Sequence, residues 1–179
     1  MKEEQIVVIA RKVMEEDREV LRRLKDNVFM ERSWETLYEK YPEFFNKVGC
    51  DPRESCMCWG IDCQTGWYDL ISALLYRIKQ HEKHIKTRND WSVKESGEPC
   101  EKYKDYYPVT LEQVKEKFGG LRFYYNGGDD HIAGLVDMAE EMSYKICERC
   151  GNPGRPNKVG WIRTLCDKCE EERNAGTII

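Results

Sequence analysis

The clearest hydrophobic pattern in the chain runs from Trp67 to Ile78. Trp67, Leu70, Ile71, Leu74, Leu75 and Ile78 recur at three- and four-residue steps, so a helix opening near Thr65 or Gly66 carries one apolar face. This predicts a central core helix. Its continuation from Arg77 to Lys94 turns basic, with Arg77, Lys79, Lys83, Lys86, Arg88 and Lys94 against Glu82 and Asp90. Upstream, Ile6, Ile9, Ala10, Val13, Val20, Leu21 and Leu24 mark a charged helix over residues 3–26. It reads either as packed with a wide solvated face or as half of a helix pair between subunits, as in a homodimer. A short helix around Trp34 to Glu39 ends at Tyr41-Pro42, because a residue before proline is pushed out of the helical region.

The period changes at Val109. Val109–Phe118 and Leu121–Tyr125 flank Gly119-Gly120, which predicts a β-hairpin turning on the two glycines, with Phe118 facing Leu121 and Lys117 facing Arg122. A lone hairpin is marginal, so a further strand is expected from residues 95–108 or from a second chain. Asp129 or Asp130 caps a following helix whose apolar stripe is Ile132, Leu135, Val136, Ala139, Met142 and Ile146. The fold expected is α+β: helices packed on a small antiparallel hairpin or sheet, with a C-terminal treble-clef-like or zinc-ribbon-like module. The organisation expected is an N-terminal helical segment (1–47), an α+β core (48–146) and a module over 147–179 joined rigidly to it.

That module is read from its cysteines. Cys147 and Cys150 form one CxxC pair, and Cys166 and Cys169 form a second after fifteen intervening residues, the spacing of a four-thiolate zinc site. Four cysteines close the coordination sphere and leave no position for a reacting water, so one structural Zn2+ is expected. Cys50, Cys56, Cys58 and Cys63 lack CxxC spacing and read as buried or free thiols, with a second metal site as the alternative.

Composition narrows the function classes. With 40% hydrophobic and 11% aromatic residues the chain can bury a core, and a net charge of −4 argues against a generic charge-driven nucleic-acid binder. Local basic features remain. Lys115, Lys117, Arg122 and Tyr124 share the hairpin, and Arg155, Lys158, Trp161 and Arg163 share a zinc-module loop free of acidic residues. These are candidate contacts for a nucleic acid, a nucleotide or another ligand. Asp129, Asp130 and His131, beside Gly127-Gly128, are the candidate hidden active centre, although capping explains the aspartates. No catalytic set emerges, and the chain reads as a non-enzyme. His81 and His84 read as solvated surface. The first residues lack a secretory pattern and no apolar stretch reaches roughly eighteen residues, so no membrane span is expected. Nine cysteines then suggest a reducing cytoplasm.

Three stretches carry a resemblance: Cys58-Trp59-Gly60 through Gly66-Trp67-Tyr68-Asp69-Leu70-Ile71, Val114-Lys115-Glu116-Lys117-Phe118-Gly119-Gly120-Leu121-Arg122-Phe123-Tyr124, and the two CxxC pairs. Together, over about residues 55 to 170, they resemble small proteins encoded by bacteriophages and prophages whose function is unassigned. The resemblance implies a phage product in the bacterial host cytoplasm and transfers no catalytic residue. The leading expectation is a non-enzymatic protein that engages a host protein, as an inhibitor of a host defence factor would. The alternatives are a nucleic-acid or nucleotide binder and an enzyme centred on Asp129, Asp130 and His131.

Overall fold

In the computed structural model, residues 32–157 and 160–176 are described. The helix expected over residues 3–26 and Lys158 lie outside them. The fold is α+β. Helix α1 (Trp34–Lys40) is capped by Ser33, whose hydroxyl accepts the Thr36 N–H. A loop follows that sends Tyr41, Phe44, Phe45 and Met57 into the core and ends in a short strand, β1 (Ile61–Asp62). A single 3-10 turn over Thr65–Trp67 leads into α2 (Tyr68–Ser96), 29 residues long. Of the predicted stripe, Trp67, Ile71, Leu74, Leu75 and Ile78 are buried and Leu70 is partly buried. The buried face ends at Ile85, so the last turns of α2 project beyond the core until Gly97 closes them with a left-handed cap.

Strands β2 (Thr110–Lys117) and β3 (Gly120–Asn126) form the hairpin. The third strand comes from neither expected source: β1, from the cysteine-rich loop, lies parallel to β2 and gives the order β1-β2-β3. Two residues carry no readable strand pattern, which is why this pairing is invisible in the sequence.

The turn also differs from expectation. Lys117 pairs with Gly120 and Lys115 with Arg122, so the turn residues are Phe118 and Gly119. Both have positive φ, 54° and 79°, as a type I′ turn requires. The reason lies outside the hairpin. Gly120 sits under the Tyr144 ring, and a Cβ there would collide with it, so this glycine serves as a buried strand residue. An extra residue at Glu112 bulges β2, and Leu111 and Val114 both face inward although three positions apart.

Helix α3 (Asp130–Ser143) packs along the β3 edge and satisfies two of its backbone donors. The Ser143 hydroxyl accepts the Leu121 N–H at 2.9 Å, and Glu140 accepts the Phe123 N–H at 2.9 Å. With these two donors occupied and a helix over them, this stretch of the edge is covered against pairing with another chain. This also corrects the predicted stripe: Ser143 points inward and is fully buried, while Met142 is exposed. Leu111, Val114, Leu121 and Phe123 share one core with the α2 stripe and with Ile132, Val136 and Ala139 of α3. Among the described residues no helix is long and apolar enough to cross a membrane.

Candidate metal centre and adjoining groove

The chain leaves α3 and reaches Cys147 within four residues. The first CxxC pair is a tight knuckle. The Gly151 N–H donates to the Cys147 carbonyl at 2.9 Å, and Gly151 has a φ of 79° that a side chain would strain. A small hairpin follows, β4 (Arg155–Pro156) against β5 (Thr164–Leu165). Helix α4 (Asp167–Asn174) then opens with Cys166 at its N-cap and Cys169 in its first turn. Knuckle, hairpin and helix start make the module treble-clef-like.

All four sulfurs lie within 4.8 Å of one another, and Cys150 Sγ and Cys166 Sγ are 3.6 Å apart. Tetrahedral bonds of about 2.3 Å give sulfur–sulfur edges of roughly 3.8 Å, so the cage suits a single ion. Cys147 and Cys169 are buried, and burial pushes the Cys169 and Cys150 thiols up, whereas the Cys169 backbone N–H holds the Cys166 thiol below its usual range. Among the described residues this is the one cluster of three or more ligand-type side chains close enough to hold a metal ion. Cys50, Cys56, Cys58 and Cys63 form no such cluster. Burial raises the Cys63 thiol well above its ordinary value and the Cys58 thiol less so, which makes both poor nucleophiles.

On the α2 side, three contacts fix the module to the core. The Gly66 N–H donates to the Glu148 carbonyl at 2.8 Å, and the fully buried Trp67 indole donates to the Ile146 carbonyl at 2.9 Å. The third contact is Glu148 itself, which the sequence hides inside the CxxC pair. Its side chain is 1% exposed, and one oxygen accepts the Gln64 N–H at 3.2 Å. The other has no hydrogen-bond donor among the described residues and lies 3.7 Å from the Arg163 guanidinium. Burial raises this carboxyl, and Arg163 partly opposes the rise.

The hairpin tip docks on the opposite side of the module. The Thr164 hydroxyl donates to the Gly119 carbonyl at 2.6 Å, and Ile162 packs so closely that a Cβ on Gly119 would approach it to 3.0 Å. Between tip and module lies a groove of about 470 Å³ lined by Lys115, Glu116, Lys117, Phe118, Gly160, Trp161 and Ile162. Phe118 is 68% exposed and Trp161 70%, an apolar pair at the mouth. The sequence singled out Lys115, Lys117 and Trp161 but missed Phe118 and Ile162. Phe118 becomes legible only once the turn is placed on it.

The remaining candidates divide by their partners. Arg122 holds Glu140 at 3.3 Å and the Tyr144 hydroxyl at 2.8 Å, Arg155 pairs with Asp167 at 2.6 Å, and Arg163 faces Glu148. Lys115 sits over the Tyr124 ring at 5.7 Å and Lys117 over Phe118 at 5.5 Å, with no carboxylate within 4.0 Å among the described residues. A second cavity, about 460 Å³, opens beside the tetrad and is lined by Gln64, Arg149, Trp161, Arg163, Leu165, Cys169 and Arg173.

At the start of α3, Asp129 caps the helix by accepting the Ile132 N–H, as expected. Its other oxygen meets His81 Nε2 at 2.8 Å, and the His81 and His131 rings lie 4.4 Å apart. His81 is therefore a link between α2 and α3 rather than solvated surface, a pairing no local spacing reveals; His84 is exposed. Burial would raise Asp129, yet the hydrogen bonds from His81 and the Ile132 N–H, with the nearby His81 and His131 rings, together outweigh it and hold the carboxyl below its usual value. A depressed folded pKa stabilises the fold above the unfolded value, about 3.9, and the benefit is lost as pH falls through the folded value. Asp129→Asn is thus expected to flatten the loss of stability below about pH 4 in urea melts between pH 3 and 5. Identical acid slopes in the two proteins would refute this. No family model, curated protein or solved structure matches the chain.

Proposed function

We propose that this chain is a non-enzymatic binding protein of phage type that engages a host protein in the bacterial cytoplasm through the Phe118–Trp161 groove. The observation that carries the reading is Phe118. A bulky residue at φ 54° is disfavoured by roughly 1–2 kcal/mol, and glycine or asparagine would sit there without that penalty. Strain of this kind persists where it serves a site, and here it holds an exposed aromatic ring in the groove that Trp161 also lines. Large apolar side chains grouped on a rigid surface are the anchors from which protein interfaces are built.

The ion in this reading is zinc. Four thiolates in a tetrahedral cage favour this borderline-soft, redox-silent cation, and their full complement leaves it a purely structural part. It braces the module wall of the groove against the hairpin tip. The nucleic-acid or nucleotide reading would draw on the same aromatics, but Arg122, Arg155 and Arg163 already face carboxylates within the chain. Arg149, Arg163 and Arg173 in the second cavity surround a centre that carries two negative charges when filled, with Glu148 and Glu172 adding two more. They balance local charge rather than await phosphate. An enzyme built on Asp129, Asp130 and His131 gains no support, since both oxygens of Asp129 are engaged in the cap and the His81 link.

The test is capture from nuclease-treated lysate of the bacterial host, with bound proteins identified. Wild type is expected to retain a defined partner that Phe118→Asn loses, while the variant melts at an equal or higher temperature because its turn is relaxed. Retention of the same partner at the same level by both proteins would refute the groove as the binding surface.

A further inference from the structure

Resting on that reading, we infer that the occupant of the groove is an extended polypeptide segment with acidic residues at alternate positions and apolar residues between them. The two walls of the groove differ in chemistry. Lys115 and Lys117 lie two apart on β2, so both side chains leave the same face, and their Cα atoms are separated by about 6.6–6.8 Å. Alternate residues of any extended strand repeat at that same distance. A segment laid along β2 can therefore place successive carboxylates against successive ammonium groups. Its intervening side chains then point the other way, toward Trp161 and Ile162 on the module wall, with Phe118 closing one end.

The charges support this occupant. Neither lysine has a carboxylate partner among the described residues; each is held over an aromatic ring, which orients the ammonium without neutralising it. Glu116, the acidic residue of the lining, is turned to the tip, where it accepts the Gly119 N–H at 2.6 Å. Asp62 is the β1 neighbour of Lys115 in the sheet but makes no ion pair with it. The groove thus presents two available positive charges beside aliphatic and aromatic surface. A single-stranded nucleic acid would use the same charges, but the Ile162 side of the groove offers its bases an aliphatic wall, and two lysines are few for a phosphate backbone.

The experiment uses the full metal-loaded chain and three dye-labelled probes in fluorescence anisotropy: a peptide of alternating glutamate and leucine, its glutamine counterpart, and an oligothymidylate of the same length. The glutamate peptide is expected to bind at least about tenfold more tightly than the glutamine peptide at low salt, with the gap closing as salt screens the pairs. Lys115→Gln with Lys117→Gln should erase the preference and leave residual apolar binding, and Phe118→Asn should weaken both peptides. Equal affinity for the two peptides, none included, overturns the acidic occupant, as does tighter binding of the oligothymidylate. Partner capture that still depends on Phe118 would then leave the groove standing with a different occupant, whereas capture indifferent to Phe118 removes the groove itself.

Discussion

Cys166→Ser is expected to strip the protein of its ion and unfold residues 147–174 while the helix–sheet core survives. A serine hydroxyl at neutral pH is no substitute for a thiolate, and although serine suits the N-cap of α4, the helix loses the ion that ties it to the first CxxC pair. With zinc in the tetrad as proposed, the site would contribute on the order of 10 kcal/mol to the folding of the module, more than the short β4–β5 pairing can replace. The groove goes with the module, because Trp161 and Ile162 are held in place by its chain path, by the Asn157 and Arg173 hydrogen bonds to the Trp161 carbonyl and by the Thr164–Gly119 contact. Hydrogen exchange reads this locally. The amides of Cys147, Glu148 and Gly151, each hydrogen-bonded within the module, should exchange near the unfolded rate in the variant, while those of the α2 stripe stay protected. Unchanged protection across 147–151 would mean that the knuckle folds without its ion.

Gly66→Ala should lower stability by about 3 kcal/mol, roughly 6–12 °C in midpoint for a chain of this size, without removing the ion. A Cβ at this position would fall inside contact distance of the Cys147 and Glu148 carbonyl oxygens. Those atoms are backbone, fixed on one side by the knuckle and on the other by the Glu148–Thr164 hydrogen bond at 2.9 Å, so they cannot yield as a side-chain tip would. The methyl group must push the module off α2 and stretch the Gly66–Glu148 bond and the Trp67–Ile146 bond with it. Thermal melts paired with metal analysis check this. A variant that melts like wild type would show that the module does not bear on the Gly66 turn.

These positions also show what the sequence could disclose. The α2 stripe and the CxxC pairs were legible because each is a local spacing with one physical meaning: a helical face in the first, two thiolates converging from one turn in the second. The hairpin was legible as an element but not in register. Gly119-Gly120 offered an obvious turn, and nothing local indicated that Tyr144 claims the space above Gly120, forcing the turn onto Phe118. The third strand was hidden for a related reason, since Ile61-Asp62 is extended only because β2 lies beside it. His81 and Asp129 are 48 residues apart, and only the packing of α2 on α3 joins them. The groove combines both problems. Its two walls are distant in sequence, and its main anchor sits where turn chemistry disfavours an aromatic.

Native mass spectrometry of the purified, reduced protein puts the metal centre to the most direct test. The proposed zinc centre predicts one zinc ion per folded chain, lost on chelation together with the exchange protection of the C-terminal module. A folded chain that carries no metal, and whose module keeps its exchange protection in chelator, would contradict both the centre and the groove it supports.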